Sequence, residues 1–384
     1  MRYIAKDIPL WQVTIWDKKF NNVDKKWQPK TIKYKYLLSD ELDSLRVDDG
    51  DVRILYTGKD VGFTTEELAG DRLSEGEIIS IPWGGIPTVK YHKGKFVTGD
   101  NRIATSNDID KLTNKYLYYF MRGNIHEIAS YYRGASLKHP CMKDILKMTI
   151  SYPSVQEQDK ICGQFDVLEQ IIEVRKQELQ LLDDLIKARF VEMFGNPDLN
   201  EKEWDINKME RLCEVSSSKR IYQNEQSVIG IPFLRISDLV NRMDTGSKEC
   251  DLYIPEEKYE ELKDQGLVPI KGDILLTARG TLGRCYIIQE NDEFYFQDGM
   301  ITWLSNFNEK ITSMYIAYLF SMPGFRKQID ALQAGSTVAY LSISMTKKLD
   351  IMVPPLELQN QFADFVHQVD KSKLKEHVLV QITL

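Results

Sequence analysis

Apolar side chains recur at alternating steps of four and three through one stretch: Ile161, Phe165, Leu168 and Ile172, then Leu179, Leu182 and Ile186 beyond Arg175. That spacing turns a narrow stripe toward a partner helix over several turns. It predicts a coiled-coil seam rather than the broader face of a globular helix. Arg175 interrupts the seam and Arg189 takes its next position. Gln156, Glu157 and Asp159 crowd the first turn, where carboxylates favour the helix dipole. Gly195-Asn196-Pro197 ends the helix. At about 1.5 Å per residue, Ile161 to Phe194 spans roughly 50 Å. Such a helix needs a second one to be stable in water.

The second helix is visible as a repeat. A shift of 201 positions lays Pro153 on Pro354 (354 − 153 = 201). Gly134-Ala135-Ser136 then falls on Gly335-Ser336-Thr337, Gln158 on Gln359, Ile161 on Phe362, Phe165 on Val366 and Leu168 on Val369. No gap is needed from Gly134 to Glu169. Upstream, Gly76-Glu77-Ile78-Ile79 matches Gly272-Asp273-Ile274-Leu275, and Tyr116-Leu117 matches Tyr315-Ile316. Self-similarity at a fixed period defines the architecture before any fold is assigned. The chain reads as a globular unit plus a helix, twice.

At these residues the chain resembles the specificity subunit of type I restriction-modification systems. The helix starts ISYPSVQEQDKI (150–161) and IMVPPLELQNQF (351–362) resemble that family's Pro-Pro-x-x-Glu-Gln-x-x-Ile segments. KARFVEMFGNP (187–197) resembles the end of its central conserved region. The resemblance covers the whole chain. It implies an α/β fold with two similar target-recognition domains, separated by long antiparallel coiled-coil helices as an internal pseudo-repeat. The expected domains are 1–150 and 197–350 for target recognition, 151–196 for the central conserved helix and 351–384 for a short C-terminal conserved helix. It also implies double-stranded DNA as ligand and no active site. Two modification subunits would dock on the helices, and restriction subunits would join through the complex. S-adenosylmethionine and magnesium would serve those partners, with no cofactor in this chain.

A length of 384 residues leaves room for two to three domains. The first residues lack an apolar signal segment and no run approaches a membrane span, so no membrane partner is expected. The five cysteines are scattered without CxxC, which argues against a zinc site or a disulfide framework and suits a reducing cytoplasm. The net charge of −7 opposes DNA binding if taken as one number. Its distribution along the chain points the other way. Residues 157–192 hold nine acidic and five basic side chains, whereas residues 17–36 hold seven lysines against two aspartates. A helical spacer need not touch DNA, but a recognition domain must.

Candidate contacts lie in the globular units. In the first, Lys18, Lys19, Lys25, Lys26 and Lys30 interleave with Trp27, Tyr34 and Tyr36. That mixture suits phosphate and base contact together, or a hairpin with a wet face. Trp11 to Trp16 alternates like a strand, and Trp204-Asp205-Ile206 echoes Trp11-Gln12-Val13, as if both units begin alike. A strand at Gly76–Ser80 runs toward Trp83, Gly84 and Gly85, where glycines allow a tight turn or close approach to DNA. Lys115 to Arg122 reads as a helix with Tyr116, Tyr119 and Phe120 on its core face. Arg133, Ser136 and Lys138 occupy a polar loop whose copy holds Ser336 and Thr337. Its amides suit phosphate, or it is a cap and linker. In the second unit, Arg220 and Tyr222 lie in a basic loop. Ile231 to Leu239 reads as a strand with Arg235 and Ser237 on one face. Arg279, Thr281 and Arg284 flank the glycines of a Gly-x-x-Gly turn, fit for a phosphate or a major groove.

No HExxH, GxSxG or P-loop pattern is present. The rival readings are an enzyme with unfamiliar motifs and a coiled-coil adaptor that binds only protein. One departure from the family concerns the second helix. Its seam runs Phe362, Val366, Val369 and then Lys373 and Glu376. From Phe362 to Leu384 it reaches about 33 Å. The expectation is that Leu179–Ile186 lacks cover, to be completed by partners or, second, by homodimerisation.

Overall fold

The computed structural model describes residues 5–18, 30–58, 61–333 and 339–383, leaving aside the side chains of Val61 and 374–383. The chain divides within the long helix into two compact units, Met1–Ile172 and Glu173–Leu384.

Unit 1 is built on a six-stranded mixed sheet. Its order is Thr14–Trp16, Asn101–Ser106, Ser74–Pro82, Lys90–Thr98, Val52–Leu55 and Val61–Thr64. The helix Asn114–Gly123 starts at Thr113, whose hydroxyl accepts the Tyr116 N–H. It buries Leu117 and Met121 against Ile79, Ile81 and Ala104 of the sheet. The buried face is therefore aliphatic, and Tyr116, Tyr119 and Phe120 stay half-buried at its sides. The first tryptophan segment is not one strand. Leu10–Val13 forms a helical turn that buries Leu10 and Val13, and only Thr14–Trp16 joins the sheet. The two side chains point the same way at a spacing of three, which a strand would not allow.

Unit 2 carries a four-stranded antiparallel sheet, ordered Glu214–Ser216, Ile301–Ser305, Ile274–Thr277 and Cys285–Ile287. Beside it lies a three-stranded sheet of Tyr253–Ile254, Ile231–Leu234 and Tyr295–Phe296. The stretch 231–239 is a strand only to Leu234, and Ile236–Thr245 is a helix. Ile236, Leu239 and Met243 share a helical spacing and one core cluster. The Asp238 carboxylate accepts the Arg235 N–H at 2.9 Å, which starts the helix.

Both units open with a strand paired to the one before the arm: Ala5–Pro9 with Thr149–Tyr152, and Asp205–Lys208 with Asp350–Val353. Ala5 faces Tyr152 and Asp205 faces Val353, so these two residues correspond. Trp204 is thus no counterpart of Trp11. Its indole N–H donates to the Phe194 carbonyl at 2.8 Å and closes the end of the long helix.

The long helix, here the first arm, runs Val155–Phe194, and the second arm runs Leu356–Thr383. Inside unit 2 the arms pack antiparallel. The Phe190 and Phe194 rings lie 5.4 and 5.5 Å from Phe362. Asp183, earlier on the first arm, meets Lys373, later on the second, at 2.6 Å. Ile186, Phe362, Val366 and Val369 are buried in one cluster, and Leu182 packs against it. Ile186 is 1% exposed and so is covered, against the sequence expectation, whereas Leu179 and Leu182 of the same face stay half-buried. Lys373, at the next seam position, pairs with Asp183 across the seam and with Asp370 on its own arm. In unit 1, Ile161, Leu168 and Ile172 are half-buried, whereas Phe165 is 44% exposed and stacks on Tyr119 at 4.9 Å.

Each arm is fastened by one buried glutamine. Gln158 accepts the Thr113 N–H at 2.9 Å and donates to the Lys111 and Pro153 carbonyls. Gln359 makes the same bonds with Thr312, Lys310 and Pro354. Both are fully buried. The glutamine of each helix start thus ties an arm to its own unit.

Candidate nucleic-acid interface

In unit 1 the strand Ser74–Pro82 delivers Trp83 and Gly84 to a turn beside the hairpin of Tyr132–Arg133 and His139–Pro140. Gly134 closes that hairpin at φ 143°, and a Cβ there would lie 2.2 Å from the Leu137 carbonyl oxygen. The two loops are bonded to each other. The Gly85 N–H donates to the Lys138 carbonyl at 3.2 Å. His139 Nδ1 lies 2.6 Å from the Trp83 carbonyl, and because a carbonyl only accepts, Nδ1 carries the proton. One edge therefore gathers Trp83, Gly84, Arg133, Ser136 and Lys138. The last three are exposed, and Arg133 pairs with Asp144 at 2.9 Å.

Behind this edge lies a charged core. Arg102, 1% exposed, pairs with Asp17 at 3.0 Å and with Asp100. Its guanidinium lies 4.6 Å from the Trp83 ring and 5.3 Å from Tyr36. Burial pushes the Asp17 carboxyl up to about 6, against the opposing pull of Arg102. Lys18 approaches Asp100 at 3.8 Å. Asp100, Trp83, Gly84 and His139 line a cavity of about 310 Å³. Asp17, Asp100 and Arg102 carry no motif, and no spacing in the sequence singles them out. Lys30 is exposed. Lys19, Lys25, Lys26, Ser336 and Thr337 lie outside the described residues, as does Trp27.

In unit 2 the candidate arginines meet different fates. Arg220 pairs with Asp298 at 2.8 Å, next to the exposed Tyr222. Arg235 is held by Asp238 at 3.0 Å and Asp251 at 3.1 Å. It sits at the start of a helix, and Ser237 is exposed in the first turn, so the two do not share a strand face. Arg284 pairs with Asp244 at 2.6 Å. Thr281 and Arg284 line an open cleft of about 860 Å³ together with Arg242, Cys285 and Arg326. Arg279 is exposed, with its guanidinium 4.9 Å from the Tyr340 ring.

Among the described residues no cluster of histidine, cysteine and carboxylate could hold a metal ion. No helix among them is long and apolar enough to cross a membrane. Two α/β units of one design, each tied to a helical arm and edged by glycine-turned basic loops, make a paired recognition module. The model of the type I restriction modification DNA specificity domain matches residues 42–183 and 201–384, and the chain belongs to that family. It is 27% identical to the putative type I restriction enzyme specificity subunit of Haemophilus influenzae, over 77% of this chain and 75% of that one. It is 23% identical to the MjaVIII specificity subunit of Methanocaldococcus jannaschii, over 83% and 79%. Among solved structures, the S subunit of the type I system from M. genitalium shares the fold at 15% identity, with a TM-score of 0.56 and coverage of 100% and 93%. The chain is a specificity subunit, the non-catalytic DNA-binding part of a type I restriction-modification system.

Proposed function

We propose that each unit reads one half of a bipartite double-stranded DNA target, and that the arms fix the spacer between the halves. One observation carries this reading: the same scaffold occurs twice with different side chains on its loops. The two glutamine fasteners repeat bond for bond, and in each unit an opening strand pairs antiparallel with the strand before the arm, with a register shift in unit 1 alone. At the matching edges, however, unit 1 sets Gly84 against His139 where unit 2 sets Arg279 against Tyr340. Base edges are read by such side chains, and phosphate contacts set the register. Exchanging Met1–Lys147 for the equivalent unit of another family member is expected to change one half-site of the methylated sequence. A change in both halves, or in neither, would sink the modular reading.

We further propose that the arms carry two modification subunits, which bring S-adenosylmethionine and magnesium and recruit the restriction subunits. Val174, Leu181 and Leu185 on the first arm are 51%, 66% and 49% exposed. In the sequence their spacing runs back through Ile171 to Val167. This outer stripe lies roughly 100° around the helix from the inner seam. An apolar stripe beside a closed seam supports a helical partner.

A further inference from the structure

The strand that ends at the edge in each unit can be matched through its hydrogen bonds. In unit 1 the Trp83 N–H donates to the Asp100 carbonyl at 2.9 Å, and in unit 2 the Ala278 N–H donates to the Met300 carbonyl at 2.9 Å. Trp83 therefore corresponds to Ala278 (278 − 83 = 195). The core agrees: Ile79 and Ile81 face the helix side in unit 1, as Ile274 and Leu276 do in unit 2. The match of Gly76 to Gly272 read from the sequence is one residue off, and a slip of one exchanges the faces of a strand. In the corrected register Gly84 corresponds to Arg279, and the shift of 201 brings His139 onto Tyr340. A Cβ at Gly84 would lie 3.3 Å from the His139 ring, as the Arg279 side chain lies against Tyr340. The two units thus differ at one structurally matched spot.

Resting on the reading of the chain as a bipartite sequence reader, we propose that Arg279, lying over the Tyr340 ring, is a base-reading residue of unit 2 and recognises guanine. Arg133, Arg220, Arg235 and Arg284 each give their guanidinium to a carboxylate. Among the described residues Arg279 has no carboxylate partner and rests on a ring instead. A guanidinium that rests on a ring rather than on a carboxylate has not spent its N–H fork, which matches guanine O6 and N7. The support is rigid. Arg279 and Tyr340 are bridged through their backbones, and the Leu341 N–H donates to the Ala278 carbonyl at 3.0 Å. Gln333 exchanges two hydrogen bonds with the Tyr340 backbone, at 2.8 and 2.9 Å. Gly280 and Gly283, at φ 68° and 73°, turn the loop beyond. In unit 1 the glycine at this spot removes the fork, so that half-site is read by other groups.

The test is selection from random duplex DNA by the full chain assembled with its modification subunits, followed by sequencing. Wild type is expected to select a guanine in the unit 2 half-site. Arg279→Ala is expected to lose that guanine by roughly tenfold to a hundredfold while every other position keeps its preference. Arg279→Lys keeps the charge and is expected to lose the same preference, whereas Tyr340→Phe keeps the ring and retains it. A uniform loss of affinity at all sequences in Arg279→Ala, with base preferences unchanged, makes Arg279 a phosphate contact and overturns the proposal. An unchanged selection in a normally melting Arg279→Ala variant also overturns it. A wild-type complex that selects no sequence at all overturns the sequence-reader reading too, which separates the two failures.

Discussion

Arg102 occupies a site that few charged groups occupy: almost no exposure, two carboxylates, and the rings of Trp83 and Tyr36 close by. Removing one partner of a buried ion pair leaves the other uncompensated, and Arg102→Ala is expected to cost about 3–5 kcal/mol at pH 7 in chemical denaturation. The pH dependence follows from Asp17. Its carboxyl already titrates near 6, above its unfolded range, because burial outweighs Arg102. The folded state therefore binds a proton that the unfolded state has released, and this group favours folding more as pH falls from 7 toward 5. Without Arg102 the Asp17 carboxyl rises further, so the deficit of Arg102→Ala is expected to shrink at pH 5. A deficit that grows on acidification would contradict this account. Nothing in the sequence disclosed the network. Asp17 and Arg102 are 85 positions apart and meet only because Thr14–Trp16 pairs with Asn101–Ser106. The pairing of Arg235 was hidden for a related reason: Asp251 reaches it from a separate segment.

At the scale of elements, legibility followed periodicity. The arms were readable because a seam of period near 3.5 persists over many turns. Short elements were not. Ile231 and Phe233 alternate as a strand does, and nothing in that alternation marks Arg235 as its end. The mark is Asp238 three residues on, a capping residue at helical spacing. Gly76 and Gly272 aligned by identity, yet the hydrogen-bond ladder placed them one residue apart. The repeated glutamine was legible as a letter but not as a bond set. Gln359→Ala would leave the Thr312 N–H and the Lys310 and Pro354 carbonyls without the partner that the buried glutamine supplies. Each orphaned group costs on the order of 1–3 kcal/mol. The variant is expected to lose at least about 2 kcal/mol, and its Thr312 amide is expected to exchange faster with solvent. Normal protection of that amide would mean the junction is held by the surrounding apolar packing alone.

For the molecule as a whole, the duplication showed in the sequence at one shift only across the arm starts and the loops before them, where the same glutamine junction is built twice. Charge was harder to read. Among the described residues, five candidate cations already hold a carboxylate: Lys18, Arg133, Arg220, Arg235 and Arg284. Exposed pairs of this kind are worth about 0–1 kcal/mol, so a DNA phosphate can displace the carboxylate at small cost. With a net charge of −7 over the chain, attraction to DNA depends on local loops and on whatever partners add. That places weight on the outer stripe. Val174→Glu with Leu181→Glu sets two carboxylates where the proposed partner helix would bury apolar side chains, each worth about 1.5–3 kcal/mol. Because both positions are exposed in the chain alone, the double variant is expected to melt like wild type. It is also expected to stop co-purifying with the modification subunit, while its complex with DNA keeps its residual affinity. Retention of a full complement of modification subunits would show that they dock elsewhere. A large drop in melting temperature, with a wild-type chain that sediments as a dimer, would assign the stripe to a second copy of the chain instead.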